Sequence, residues 1–216
     1  SAISNAVDLL ASAKRPIIYG GGGIINSGPR ASELLGELVR LAGCPCTLTL
    51  MALGAYPASD PQFVGMPGMH GTFEANMAMY ESDVMVNIGA RFDDRVTGRL
   101  DGFAPGAKKI HADIDPSSIN KNVTVDVAIV GDATLVLEAM VDEWKARSAA
   151  PDAAALKEWW AKIEEWRARD CLAFEMKDSV IKPQYVLRQL HERLKGEDVY
   201  VTTDVGQHQM WAAQHL

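Results

Sequence analysis

The chain has 216 residues, enough for one or two domains. Its 21 Lys and Arg are outnumbered by 28 Asp and Glu, giving a net charge of −7, which argues against nucleic acid as a partner because phosphate backbones call for a basic face. Apolar residues make up 48% and no apolar run approaches the ~20 residues of a membrane span, so a soluble globular protein is expected. The N-terminal "SAISNAVDLLASAKR" has no basic segment leading into an apolar stretch, so no targeting segment is expected. It also lacks an initiator Met and reads as the middle of a longer chain. Cys44, Cys46 and Cys171 form no disulfide framework, which fits a reducing, cytoplasmic setting. The "CPC" at 44–46 could be a redox or metal pair, but no other Cys or His has ligand spacing to it. A structural role is the better reading, and no metal site is expected. The sequon at Asn122 reads as a chance match.

In chain order, "PIIY" (16–19) has the pattern of a short buried strand. "PRASELLGELVRLAG" (29–43) reads as a helix, with Leu34, Leu35, Leu38, Val39 and Ala42 on one face. Ser27 is the expected cap and Gly43 the stop. "TLTL" (47–50) is the next strand, "TFEANMAMYES" (72–82) a helix, and "DVMVNIGA" (83–90) and "KKIHADID" (108–115) are strands. "DVAIVGD" (126–132) is another strand, followed by "ATLVLEAMVDEWKARSA" with Asp132 as N-cap. Apolar strands alternating with helices imply a parallel sheet covered on both faces. Residues 1–148 are therefore expected to be one doubly wound α/β domain with a parallel sheet of about six strands. Residues 149–178 read as a linker and a charged helix whose Trp159 and Trp166 are packing anchors. Residues 179–216 read as the start of a second α/β domain: the helix "KPQYVLRQLHERLKG", the strand "DVYVTTD", a sharp turn and the start of another helix.

In a doubly wound sheet, ligands bind past the carboxyl ends of the strands. The first strand runs into "GGGG" (20–23), whose side-chain-free amides can approach an anion or a flat ring, or simply turn tightly. The second runs into a long loop, 51–76, rich in Gly, Pro and Met and carrying His70. The third ends at Arg91, where a phosphate would lie, and the "RFDDR" charges could also pair among themselves. The fourth ends at Asp113 and Asp115, candidates for ribose hydroxyls. Asp132 after the fifth could cap its helix, touch a ligand, or both. No strand end carries a nucleophile–base pair, so the residues suggest a dinucleotide-binding domain without catalytic residues of its own.

Six segments together, "YGGGGIINSG", "TLMALGAYP", "GMHGT.EAN", "IGARFDDRVTG", "IHADIDP..I.KN" and "TTDVGQHQMWAAQ", resemble the catalytic large subunit of the acetohydroxyacid (acetolactate) synthase family. The resemblance implies a Rossmann-like, DHS-like nucleotide-binding fold for 1–148, the family's central FAD-binding domain. It also implies that 179–216 begins the thiamin-diphosphate domain. Carried over by motif, FAD would lie on Gly21, Gly22, Gly23, Thr49, Leu50, Met51, Met69 and His70. It would continue along Gly89, Arg91, Asp94, Arg95, Val96, Asp113 and Ile114, ending near Asp132. Gln207 and His208 would contact thiamin diphosphate. The implied reaction condenses two pyruvates, or pyruvate and 2-ketobutyrate, with loss of CO2, in branched-chain amino-acid synthesis. Mg2+ anchors the diphosphate in the family, but its motif and the activating glutamate fall outside this chain, so the chain alone is expected to be inactive. A homodimer or tetramer, with a small regulatory subunit, is the implied assembly.

Two near alternatives are other thiamin enzymes of this build, the glyoxylate carboligase and pyruvate oxidase types. A third is a stand-alone sirtuin-like NAD-binding module, which gives no reason for residues 199–216. A fourth is an interaction module with a vestigial ligand site.

Overall fold

The computed structural model describes all of residues 1–216. They form two compact units, Ser1–Arg169 and Asp170–Leu216. In chain order the first unit contains α1 (Ala2–Ser12), β1 (Pro16–Gly20), α2 (Gly22–Ser27), α3 (Pro29–Ala42), β2 (Cys46–Leu48), α4 (Phe73–Glu81) and β3 (Val84–Ile88). It continues with α5 (Asp94–Thr97), β4 (Lys108–Asp113), β5 (Val127–Val130), α6 (Ala133–Ala146) and α7 (Ala153–Arg167). The second unit holds α8 (Pro183–Leu194) and α9 (Gln207–His215).

The sheet has five strands, all parallel, in the order β2-β1-β3-β4-β5. Every residue of β1, β2 and β3 is buried, as a parallel sheet covered on both faces requires. Alternate residues feed two cores. Ile18, Val86, Ile88, Ile110 and Ala112 pack with α1, α3 and α6, including Leu10, Leu35, Leu38 and Leu137. Ile17, Tyr19 and Met85 pack with Ala75 and Met79 of α4 and with Leu156, Trp159, Ile163 and Trp166 of α7. Trp159 is 2% exposed and its indole N–H donates to the Pro16 carbonyl at 3.0 Å. Trp160 donates likewise to Gly43 at 2.8 Å. The charged helix of the 149–178 stretch is thus a cover of the sheet, and its tryptophans are the packing anchors.

The chain direction from β1 matters most. The chain moves to β2 on one side and then returns to β3 on the other. That reversal leaves a crevice between the carboxyl ends of β1 and β3, where open α/β sheets bind ligands.

Two local expectations are corrected. Ser27 does not cap α3: Gly28 holds that position at φ 101°, and Ser27 closes α2 instead. The glycine run, too short for a periodicity signal, starts that six-residue helix. The doubly wound parallel sheet is present as expected, with five strands. "DVYVTTD" is not a strand, because its unit supplies no neighbour for its backbone to pair with. Two further elements add to those expected: the short α5, and α1, whose Ala6, Val7 and Leu10 form a buried stripe and whose N-cap is Ser1.

Candidate functional site

The crevice begins at an unusually close backbone approach. The Gly21 amide donates to Ile88 at 2.8 Å and the Gly23 amide to Gly89 at 3.0 Å. A Cβ on Gly21 would come within 2.5 Å of the Ala90 Cα, and one on Gly23 within 2.8 Å of the Gly89 Cα. Gly89 itself sits at φ 66°, in the left-handed region. The glycine run therefore does two jobs: it seats the β1 end on the β3 end and leaves backbone lining the crevice. Asn87, fully buried, closes the turn after β3. Its side chain donates to the Ala90 carbonyl at 2.7 Å and accepts from the Ala90 amide at 3.0 Å.

Past that turn, Arg91 is 74% exposed at the strand end, with one long contact to Asp93 at 3.3 Å. Phe92 is buried at φ 51°, against Tyr19, Phe103 and His111. Its carbonyl accepts from Asn122 at 3.0 Å. A bulky residue in that conformation is strained, and here packing and the Asn122 bond hold it. The kink turns Arg91 outward and starts α5, where Asp93 is the N-cap and accepts from the Arg95 amide at 3.1 Å. That bond, aided by Arg91 and Arg95, holds the Asp93 carboxyl below the usual carboxylate range. Asp93 thus caps α5, while Asp94 is exposed.

A cavity of about 130 Å³ lies beside this, lined by Gly23, Asn26, Ser27, Gly89, Ala112, Asp113, Ile114, Gly131, Asp132 and Ala133. Two carboxylates line it. Asp113 is buried, and its Oδ1 accepts from the Asp115 amide at 2.8 Å. Asp132 caps α6, accepting from the Thr134 amide at 2.9 Å and from the Ser27 hydroxyl at 2.7 Å. The Ser27 bond holds its carboxyl below the usual range, so it stays an acceptor. Asp115 does not line the cavity; it caps the turn Pro116–Ser118. Behind Asp113 sits His111, fully buried, neither ring nitrogen having a hydrogen-bond partner, with Nε2 3.7 Å from Asp113 Oδ2. Burial pushes its pKa down and keeps it neutral.

The other predicted residues form two flanks. Thr49, Leu50 and Met51 lie at the β2 end, where Leu50–Ala52 makes a 3₁₀ turn and Met51 is 74% exposed. Met69 and His70, both exposed, lie beside Arg95 and Val96: the Met69 amide donates to the Arg95 carbonyl at 3.2 Å. Gln207 and His208 open α9 in the second unit, just after Gly206 at φ 157°. So Gly23, Gly89, Asp113, Ile114 and Asp132 share one cavity; Gly21 and Gly22 precede Gly23 in the glycine run, and Arg91 lies two residues beyond Gly89. Sequence reading missed Asn26 and Ser27, which face the cavity from a helix too short to announce itself. Cys44 and Cys46 are buried away from these residues in the core of the α1, α3 and α6 side, and burial pushes the Cys44 thiol up to about 12. The residues hold no group of three or more His, Cys, Asp or Glu that could bind a metal ion, and no helix is long and apolar enough to cross a membrane.

Comparison with known proteins matches residues 3–140 to the family described as thiamine pyrophosphate enzyme, central domain. The chain is 48% identical over 211 residues to the acetolactate synthase isozyme 3 large subunit of Escherichia coli K12, covering 98% of this chain and 36% of the relative. It is 48% identical over 216 residues to the acetolactate synthase large subunit of Haemophilus influenzae, covering 99% and 36%. It is 45% identical over 215 residues to the acetolactate synthase of Mycobacterium bovis, covering 99% and 34%. The chain spans about a third of the length of these relatives. With most of the first unit matched and a five-stranded parallel sheet whose strand order reverses beside the glycine run, the chain belongs to the central-domain family of thiamine pyrophosphate enzymes.

Proposed function

We propose that the first unit binds FAD and forms the flavin-carrying part of an acetolactate synthase large subunit. The observation that carries this is the switch-point crevice: a side-chain-free cradle at Gly21–Gly23 and Gly89, an exposed arginine beside it, and two carboxylates in the adjoining cavity. A dinucleotide asks for those three things in that order: room for backbone contact, a cation for diphosphate, and acceptors for ribose and base donors. The residues present therefore fit the group. Gly21, Gly22, Gly23 and Arg91 would hold its charged middle. Asp113, Ile114 and Asp132 would take one end, and Thr49, Leu50, Met51, Met69, His70, Gly89, Asp94, Arg95 and Val96 would line the rest. In this reading the flavin is structural and does no net redox work.

For the whole enzyme, the identities across nearly the full chain support condensation of two 2-ketoacids with loss of CO2. Thiamin diphosphate, with Mg2+, supplies the carbanion chemistry. Gln207 and His208, at the N-terminus of α9, would donate to its diphosphate. A homodimer or tetramer of large subunits, with a small regulatory subunit, is the assembly proposed. Three regions are proposed: a central FAD-binding domain at 1–148, a linking helix at 149–178 and the start of a thiamin-diphosphate domain at 179–216.

The test is titration of the 216-residue chain with FAD, followed by flavin fluorescence. Saturable binding, weakened about tenfold in Arg91→Ala through one lost charge-assisted contact, is the expected outcome. Binding of NAD in place of FAD, or FAD binding indifferent to Arg91, would sink the assignment.

A further inference from the structure

The segment carrying Met69 and His70 is long and rich in glycine, yet it is tied down at its centre by one side chain. Asn76, the fourth residue of α4, holds Gly68 from both sides. Its Oδ1 accepts from the Gly68 amide at 2.8 Å, and its Nδ2 donates to the Gly68 carbonyl at 2.9 Å. Nδ2 also donates to the Thr72 carbonyl at 3.0 Å. Gly68 is held at φ 94°, and a Cβ there would come within 2.5 Å of the Arg95 carbonyl oxygen. The next amide, Met69, donates to that same carbonyl at 3.2 Å. A single carboxamide thus fixes the point at which the loop touches α5.

We infer that Asn76 is a positioning residue of the flavin site: its clamp on Gly68 presents Met69 and His70 alongside Arg95 and Val96. The inference rests on the flavin reading above and goes beyond it, since Asn76 itself is not among the residues that would touch the ligand. Other bonds end the loop on either side. Thr47 donates to the Gly65 carbonyl at 2.7 Å and Thr72 to Val64 at 2.6 Å. Those bonds anchor the ends; at the tip the Asn76 carboxamide is the side chain that grips Gly68, beside the backbone bonds from Met69 to Arg95 and from Gly71 to Gly68. A planar group with one acceptor and two donors is what the tip requires. Its Gly68 amide and carbonyl and its Thr72 carbonyl all face Asn76, and no charged or aliphatic residue of that size satisfies all three.

The discriminating variant is Asn76→Asp. It keeps the size and the acceptor for Gly68 but sets a carboxylate oxygen against two carbonyls. A carboxylate in the first turn is also favourable to the helix dipole, so α4 itself is spared. Two readouts are expected to move together. Amide hydrogen exchange at Gly68 and Met69 should speed at least tenfold while the β1 and β3 amides keep their protection. At saturating FAD, the bound flavin should show a changed absorbance band shape and fluorescence yield, with the dissociation constant raised about tenfold. Val141→Ala, in the core on the opposite face of the sheet, is the control: it should lower the melting temperature and leave the bound flavin spectrum as it was. Unchanged exchange at Gly68 and Met69 overturns the clamp. Faster exchange with an unchanged flavin spectrum overturns its role in the site. Failure of the unsubstituted chain to take up FAD overturns the flavin reading and this role with it. That outcome is told apart from the other two because it appears without any substitution.

Discussion

Two stretches of this chain have nearly the same pattern and different fates. "DVMVNIGA" becomes β3, the strand at the centre of the sheet, bonded to β1 on one side and β4 on the other. "DVYVTTD" is equally rich in β-branched residues, yet it takes no regular structure, and Tyr200 is 94% exposed. The difference lies outside both segments. Residues 84–88 find two neighbours at the right register; residues 198–204 find none in their unit. A strand is a relation between segments, and β propensity states only that a segment would suit one.

That comparison can be tested by substitution. The largest loss is expected on the face of the sheet covered by α7. Trp159→Ala removes a buried ring and the donor to Pro16, and should cost about 3–5 kcal/mol in urea unfolding of the chain. Equal stability would mean that α7 does not belong to the first unit's core. Next comes the central strand: Ile88→Ala, at a fully buried position, should cost about 2–5 kcal/mol. The matching change in the other stretch, Val201→Ala, should stay within about 0.5 kcal/mol. If the two changes cost the same, residues 198–204 are packed in solution and the contrast fails.

A smaller and pH-dependent effect belongs to His111, in register with Asn87 of β3. Its folded pKa lies below its unfolded value near 6.5, because burial disfavours the charged ring. The unfolded chain therefore takes up that proton first. The stability due to neutral His111 is whole above pH 6.5 and is lost as pH falls from there towards the folded pKa. His111→Phe should flatten the stability profile over that window. The separate acid loss below about pH 4 should remain, since it comes from carboxylates held low, Asp93, Asp115 and Asp132 among them. A profile that keeps its slope near pH 6 in the variant would assign the effect elsewhere.

Much of the fold was legible because its signals are local. Short, largely apolar runs mark β1 and β3, and Asp132 marks the start of α6. The strand ends were legible for the same reason: a parallel sheet puts them all on one edge, so the residues just past each strand spell out the site. The features that stayed hidden depend on distance. Asp93 rather than Asp94 caps α5, next to a Phe92 that packs in a ring cluster drawn from β1, β4 and the 103 region. Ser27 belongs to Asp132, more than a hundred residues away, and nothing in "INSGPR" announces it. Asn76 reads in sequence as a polar position on a helix; only the folded loop shows what it grips.

The contact between Gly23 and Gly89 has a thermodynamic consequence as well as a geometric one. Where a crevice is walled by side chains, a ligand must freeze their rotamers, at about 0.5–1.5 kcal/mol for each long one. Here the two strand ends meet as bare backbone, already fixed by the Gly21–Ile88 and Gly23–Gly89 bonds. A guest at that point finds backbone with no side-chain torsions left to lose. The disorder that would have opposed binding was removed when the sheet formed, so folding and recognition draw on the same ordering step.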